Sequence, residues 1–205
     1  MSAVPLKTEV VADLSRLPMH GFGSASPTWW GTLAFMLLEA MGFGLGIAIY
    51  LYLYALALGW PLGAPVPGLG PGTILTAFLS ISIVPNLLLS RWAERRELGK
   101  VRIGLVIMSL VPIPVLILRG FEFPALHTLW DSNAYGSVTW TLLGLHTTHL
   151  LTDLIETWVL TVLMFTRHGP NKRRFGDVQD NALYWNFVVL AWLPLYACIY
   201  WVPRL

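Results

Sequence analysis

The chain has 205 residues, of which 56% are hydrophobic and only 12% carry a charge. A soluble domain has about 25% charged residues, so this chain lacks the charge that a water-exposed surface requires. The net charge of +2 and the single cysteine, Cys198, argue against a nucleic-acid-binding protein and a disulfide-stabilised secreted domain. The composition therefore predicts an integral membrane protein with several spans.

Five apolar segments are long enough to cross a bilayer, which takes about 20 residues of helix. In chain order they cover approximately residues 28–58, 73–92, 103–118, 137–166 and 182–202. Tyr and Leu alternate over residues 50–54, as in a strand, but this stretch lies within a longer uncharged run that favours a helix. We therefore predict an all-α integral membrane protein. Residues 1–27 form a cytoplasmic N-terminal segment, and residues 28–205 form a single domain of five transmembrane helices.

The basic residues predict the orientation of these spans. Eleven of the 13 Lys and Arg residues lie in the N-terminal segment and in the connections after the second and fourth spans. Cytoplasmic loops carry an excess of Lys and Arg, so the N-terminus is predicted inside and the C-terminus outside. Three prolines within spans, Pro85, Pro112 and Pro114, predict kinks.

Ionisable residues inside a membrane are costly and are therefore functional candidates. The first span contains Glu39 near its middle, and the fourth contains His146, His149, Asp153 and Glu156 along one helical face. Two interpretations of Glu39 are open: a neutral acid hydrogen-bonded to a neighbouring helix, or a group that handles protons. The face of the fourth span is open to the same two interpretations. His146 or His149 would reach Glu39 if the first and fourth spans pack together.

A metal site is the third interpretation of this face. His-x-x-His with nearby carboxylates suits zinc, iron or manganese. Di-iron bundles, however, draw carboxylates from several helices, and here only Glu39 is available from another span. We therefore predict no metal site.

Two further features flank the fourth span. Glu122 follows Arg119 by three residues, which allows a local ion pair that contributes little if it is exposed. Asp131 and Asn133 are predicted to be solvated or to cap the fourth span.

The order of several motifs resembles subunit III of the haem–copper terminal oxidases, from residue 29 onward. In that family an aspartate-containing loop and Tyr-Gly-Ser precede a His-x-x-His, as do Asp131 and residues 135–137 before residues 146–149 here. Glu122 resembles the glutamate before that loop, and Glu39 the buried glutamate of an earlier helix. Residues 184–196 resemble the closing helix. Short bacterial members of the family have five spans.

The chain departs from the family pattern at four positions. The family usually has His where Asn186 stands and Asp where Val189 stands. It usually has Gly near Asp153 and no acid at the position of Glu156. The resemblance therefore implies a divergent member with a rearranged polar network.

The resemblance implies a non-catalytic accessory subunit of a respiratory haem–copper oxidase, which reduces oxygen to water and translocates protons. Such a subunit has no haem or copper of its own, since these lie in the catalytic subunit. It supports proton uptake, binds phospholipid and stabilises the catalytic subunit. Glu39, His146 and His149 would form the buried network, with Glu122 at its outer edge. The implied partners are oxidase subunits I and II and phospholipids in the bacterial inner membrane.

Several alternatives stay open. The electron donor is cytochrome c or quinol, and membership of a respiratory supercomplex is undecided. The chain is alternatively an accessory subunit of a nitric oxide reductase, or a small proton or ion transporter that uses Glu39 and the face from His146 to Glu156. A membrane di-metal oxygenase is less favoured, because the chain has few histidines. Phosphate groups of lipids are the expected contacts of Arg91, Arg95 and Arg96, although topology already explains basic residues there.

Overall fold

The computed structural model describes residue 23 and residues 26–205. The predicted N-terminal segment, residues 1–27, therefore lies almost wholly outside the described residues. Over the described range, all regular structure is helical. Six α-helices follow one another along the chain: α1 (Pro27–Leu56), α2 (Leu69–Glu94), α3 (Leu98–Leu110), α4 (Pro112–Glu122), α5 (Ala134–Phe165) and α6 (Lys172–Tyr196).

The prediction of an all-α protein with five membrane-spanning helices is confirmed. Five helical units are long and apolar enough to cross a membrane, and α3 with α4 forms the third of them, Leu98–Glu122. The fifth unit, Lys172–Arg204, begins with α6 and continues through a π-helical turn, Ala197–Trp201, and a 3-10 turn, Val202–Arg204. It starts ten positions before residue 182, where the apolar run begins, because the helix includes the mainly polar residues 172–181, which form almost three further turns.

Helix ends and interruptions follow local chemistry. The break between α3 and α4 falls at Val111, because Pro112 lacks an N–H and takes the first position of α4, where none is needed. By contrast, α2 continues through Pro85. Asn133 caps α5, since its Oδ1 accepts a hydrogen bond from the Gly136 N–H at 2.8 Å. The predicted cap is thus confirmed for Asn133, whereas Asp131 is exposed.

Helices α2 and α6 form the centre of the bundle. Two buried tryptophans of α6 donate their indole N–H groups to hydroxyls of α2: Trp185 to Ser82 at 2.9 Å and Trp192 to Thr76 at 2.7 Å. Inside a bilayer, such hydrogen bonds satisfy polar groups that lipid cannot solvate. Helix α1 is peripheral, with only 6% of its most apolar stretch buried, and it contacts α5 and α6.

The two strongly basic connections lie at the same end of the bundle. Arg102, at the start of α3, donates its Nε–H to the Met164 carbonyl at the end of α5, at 2.8 Å. At the other end, the Gly68 N–H donates to the Ala125 carbonyl at 3.0 Å. This arrangement is the one that the positive-inside rule requires, and the direction of the bundle in a membrane stays a prediction.

Candidate functional site

An ion pair is buried where α4, α5 and α6 meet. The Arg119 Nη1 donates to Glu122 Oε2 at 2.5 Å, and the side chains are 1% and 0% exposed. The Tyr200 hydroxyl donates to the other Glu122 oxygen at 2.5 Å. The Arg119 guanidinium also lies 4.3 Å from the centre of the Trp192 ring, within cation–π range. With His146 these residues are called the Arg119 cluster below.

His146 joins this cluster through both ring nitrogens. Its Nδ1 lies 2.8 Å from Arg119 Nη2, and its Nε2 lies 3.0 Å from the Val188 carbonyl oxygen. Arginine only donates hydrogen bonds, so Nδ1 must accept one. A carbonyl only accepts, so Nε2 must carry the proton. The contacts therefore assign a neutral Nε2–H imidazole, and neither nitrogen is left for a metal or a proton relay.

The cluster corrects the sequence-based estimate of the Arg119–Glu122 pair. An exposed pair contributes little, but this pair is fully buried and bonded to His146 and Tyr200. Breaking a buried pair leaves an uncompensated charge, which typically costs about 3–5 kcal/mol. Arg119 is thus held by the Glu122 carboxylate, the His146 ring and the face of Trp192.

A second polar contact joins α1 to α5 and α6. The Glu39 Oε1 lies 3.2 Å from His149 Nε2, and it accepts a hydrogen bond from the Tyr184 hydroxyl at 3.1 Å. The His149 Nδ1 lies 2.6 Å from the Leu145 carbonyl of its own helix, which leaves Nε2 for Glu39. The Glu39 and His149 side chains are 15% and 10% exposed. The structure therefore brings together the two residues that were expected to meet if α1 packs on α5.

The Glu39–His149 contact brings together two groups that are each able to carry a proton, the carboxylate Oε1 and the imidazole Nε2. Phe43 packs on the His149 ring, with ring centres 4.7 Å apart, and covers the contact from α1. Among the described residues, the second oxygen of Glu39 is buried and has no hydrogen-bond partner. This oxygen is therefore able to accept a further hydrogen bond.

The two remaining acids of α5 face other surroundings. Asp153 is 1% exposed and accepts a hydrogen bond from the Asn181 amide at 3.4 Å, while the Thr157 hydroxyl donates to Asn181 at 3.1 Å. Glu156 is exposed. It lines a cavity of about 260 Å³ with Asp180, Tyr184 and residues of α1. Tyr184 therefore stands between this cavity and Glu39.

The four candidate residues of α5 thus lie in four separate surroundings. His146 and His149 are three residues apart, which turns them about 60° from each other on the helix. That rotation directs His146 to α4 and α6 and His149 to α1. Asp153 reaches α6 further along, and Glu156 reaches the cavity. Glu122 contacts His146 only through Arg119.

The candidate lipid-binding arginines and the possible metal site are the last two features considered in the sequence. Arg91, Arg95 and Arg96 are exposed near the end of α2. Over residue 23 and residues 26–205, no group of three His, Cys, Asp or Glu side chains has the arrangement of a metal site.

The family model described as cytochrome c oxidase subunit III matches residues 19–203. The chain belongs to the cytochrome c oxidase subunit III family. The resemblance drawn from the sequence motifs is therefore confirmed at the level of the family, and the chain is a multi-pass membrane protein.

The curated proteins that the chain resembles are distant relatives. The chain is 31% identical over 115 residues to cytochrome c oxidase subunit 3 of Pisaster ochraceus, covering 54% of this chain and 44% of the relative. The subunit 3 of Patiria pectinifera is 30% identical over 137 residues, covering 66% and 50%. The subunit 3 of Pylaiella littoralis is 28% identical over 114 residues, covering 54% and 42%. The chain spans about half the length of the curated relatives it matches.

The expected departures from the subunit III pattern have local partners in the structure. Asn186 accepts a hydrogen bond from the Asn86 amide at 2.9 Å, and the same amide group donates to the Ala182 carbonyl at 2.7 Å. Asp153, a buried departure, accepts a hydrogen bond from Asn181. In this member of the family, the Asn86–Asn186 pair therefore connects α2 to α6, and the Asp153–Asn181 pair connects α5 to α6.

Sequence reasoning missed several members of these contacts. Tyr184 and Tyr200 carried no signal, because tyrosine is common near membrane interfaces. Asn86 did carry one, since an amide within an apolar helix needs a partner there. A search for every polar side chain within a predicted span, charged or not, would have found Asn86, whereas Asn181 lies one position before the fifth predicted span.

Proposed function

We propose that this chain is the accessory subunit III of a respiratory haem–copper oxidase, which reduces oxygen to water. The observation that carries the proposal is the match of the subunit III family model to residues 19–203. The proposed partners are oxidase subunits I and II, with the haem and copper in the catalytic subunit. The electron donor is cytochrome c or quinol.

The histidine contacts support a role without a redox centre in this chain. Both nitrogens of His146 are engaged by Arg119 and the Val188 carbonyl. His149 is engaged by the Leu145 carbonyl and Glu39. The ring nitrogens of His146 and His149 therefore do not fit haem or copper ligation, because a ligand of either metal needs a ring nitrogen with a free lone pair.

The Glu39–His149 pair supports a contribution to proton uptake. It places a carboxylate oxygen and an imidazole nitrogen 3.2 Å apart, and Tyr184 links the pair to the cavity that contains Glu156 and Asp180. We propose that the pair sustains proton supply to the catalytic subunit, whereas the Arg119 cluster stabilises the subunit itself. Loss of the pair would then shorten the working life of the complex more than it lowers the initial rate.

The location and orientation are part of the same proposal. We propose one five-helix domain in the bacterial inner membrane with a cytoplasmic N-terminus, because the basic connections share one end of the bundle. Phospholipid binding and membership of a respiratory supercomplex belong to the proposal as well. We propose that Arg91, Arg95 and Arg96, at the basic end of the bundle, contact the phosphate groups of lipids.

Purification from the native membrane tests the assembly. The full chain is tagged, extracted in mild detergent, and analysed for co-purifying subunits, haem spectra and oxygen consumption. We expect subunits I and II with haem in a fixed ratio to this chain. A nitric oxide reductase in their place would redirect the proposal to that complex. A lone colourless chain that moves protons across vesicle membranes would refute it in favour of a transporter.

Substitution of Glu39 tests the role of the pair. Glu39→Gln keeps an acceptor oxygen for Tyr184 and His149 but cannot ionise, so the free energy of unfolding should change by less than about 1 kcal/mol. We expect an almost unchanged initial rate of oxygen reduction and fewer turnovers before inactivation. Glu94→Gln, at the exposed end of α2, is the matched control. If both variants complete the same number of turnovers before inactivation, the proposed role of Glu39 is contradicted.

A further inference from the structure

A groove of about 390 Å³ runs between α3 and the end of α5, at the basic end of the bundle. Its lining is apolar apart from one arginine, and consists of Gly99, Arg102, Ile103, Val106, Ile107 and Phe165. The volume is within the range of small-molecule sites, about 300–1,000 Å³. Ile103 and Phe165 are 61% and 55% exposed, so the groove opens on the surface that faces lipid.

Arg102 is held at this groove by two contacts. Its Nε–H donates to the Met164 carbonyl at 2.8 Å, and its guanidinium carbon lies 5.2 Å from the centre of the Phe165 ring. In the described part of the chain, the two terminal nitrogens of Arg102 make no hydrogen bond or ion pair with a protein acceptor. A planar guanidinium fixed in this way presents two parallel N–H groups, the geometry that suits a phosphate.

The surrounding charges favour an anionic ligand. Arg95 is exposed in the connection just before α3, and Lys100 lies in the first turn of that helix. The nearest acid of that connection, Glu97, is already paired with Lys100 at 2.5 Å. Basic side chains at a membrane surface attract anionic lipid by about 1 kcal/mol each.

We propose that this groove binds one anionic phospholipid. The phosphate lies on the terminal nitrogens of Arg102, and an acyl chain lies along Gly99, Ile103 and Val106 toward Ile107. The charge selects an anionic headgroup, and the apolar floor selects a molecule with a chain over a soluble phosphate. This site is formed by α3 and α5 alone. It gives the lipid binding within the proposed function a location, and so it rests on that function for its membrane setting.

Two substitutions remove the two halves of the site. Arg102→Gln removes the charge at the phosphate position. Gly99→Phe fills the floor of the groove and leaves the Arg102–Met164 bond in place, and a side chain is tolerated there because no atom lies within 4 Å of a Cβ at Gly99. Arg173→Gln removes one exposed charge from the first turn of α6, at the same basic end of the bundle, and is the control.

The measurement is native mass spectrometry of the full chain, with the subunits that co-purify, in detergent containing phosphatidylglycerol or phosphatidylcholine. We expect the unaltered chain to retain one phosphatidylglycerol in preference to phosphatidylcholine. Arg102→Gln should weaken retention about tenfold or more, since a hydrogen bond to a charged group contributes about 1.5–3 kcal/mol. Gly99→Phe should weaken the retention of both lipids, and Arg173→Gln should weaken the retention of neither by as much as tenfold.

Three results would overturn the proposal. The first is equal retention of both lipids by the unaltered chain. The second is phosphatidylglycerol retention in Arg102→Gln that matches the Arg173→Gln control. The third is displacement of the lipid by millimolar inorganic phosphate, which would show an anion site without a chain groove. The co-purifying subunits are read from the same spectra, so a failure of oxidase assembly is distinguished from a failure of the lipid site.

Discussion

The Arg119 cluster leads to a quantitative prediction for Arg119→Met. Methionine keeps much of the side-chain volume but removes the bonds to Glu122 and His146. Each hydrogen bond to a charged group contributes about 1.5–3 kcal/mol, so their joint loss amounts to roughly 3–6 kcal/mol. Breaking a buried ion pair costs a similar amount, about 3–5 kcal/mol. We therefore expect the free energy of unfolding to fall by about 4 kcal/mol.

A double-mutant cycle isolates the ion pair within this loss. Glu122→Gln keeps an acceptor for the Tyr200 hydroxyl and leaves Arg119 without its counter-charge. Because Arg119→Met with Glu122→Gln leaves neither charge buried, the double variant should lose less stability than the sum of the two single variants, by about 2–3 kcal/mol.

The assay is reversible unfolding of the purified chain in mixed micelles with increasing sodium dodecyl sulfate, followed by circular dichroism. Glu94→Gln provides a control for removal of an exposed carboxylate. Single variants that each cost less than about 1 kcal/mol and add without coupling would behave like a surface pair. That result would refute the burial argument.

Two further variants test packing and polar contacts by the same assay. Gly72→Ala should destabilise the chain by about 1–3 kcal/mol, because a Cβ at Gly72 would overlap the Tyr200 ring, whereas Gly42→Ala, which meets no neighbouring atom, should not. Asp153→Leu should cost about 1–3 kcal/mol, because the buried Asn181 amide loses its acceptor, whereas Asp153→Asn keeps one and should cost less. Equal stability of Gly72→Ala and Gly42→Ala would contradict the predicted overlap with Tyr200. Equal stability of Asp153→Leu and Asp153→Asn would contradict the contribution of the Asn181 hydrogen bond.

The expectations that held depend on local properties of the chain. Pro112 divides α3 from α4 because a proline cannot donate to the preceding turn, whatever surrounds it. Asn133 caps α5 through an amide three residues away. The five spans follow from hydropathy summed over about 20 residues, which is likewise a property of each segment by itself.

The burial of Arg119 and Glu122 could not be predicted in this way. Their spacing is the same for an exposed pair and a buried one. What buries them is the arrival of His146 from α5 and of Tyr200 from beyond α6. Those contacts join residues 27 and 78 positions apart along the chain, so no local pattern encodes them.

Residue types and their order thus determined the class of this protein, its spans and its family, because hydropathy, charge and motif spacing are read along one chain. Only the tertiary structure decided how the polar residues pair. A 60° rotation between His146 and His149 directs one to Arg119 and the other to Glu39. Which helix lies in each direction depends on the packing of the whole bundle, because a polar side chain that lipid cannot solvate is stabilised by a partner on a neighbouring helix.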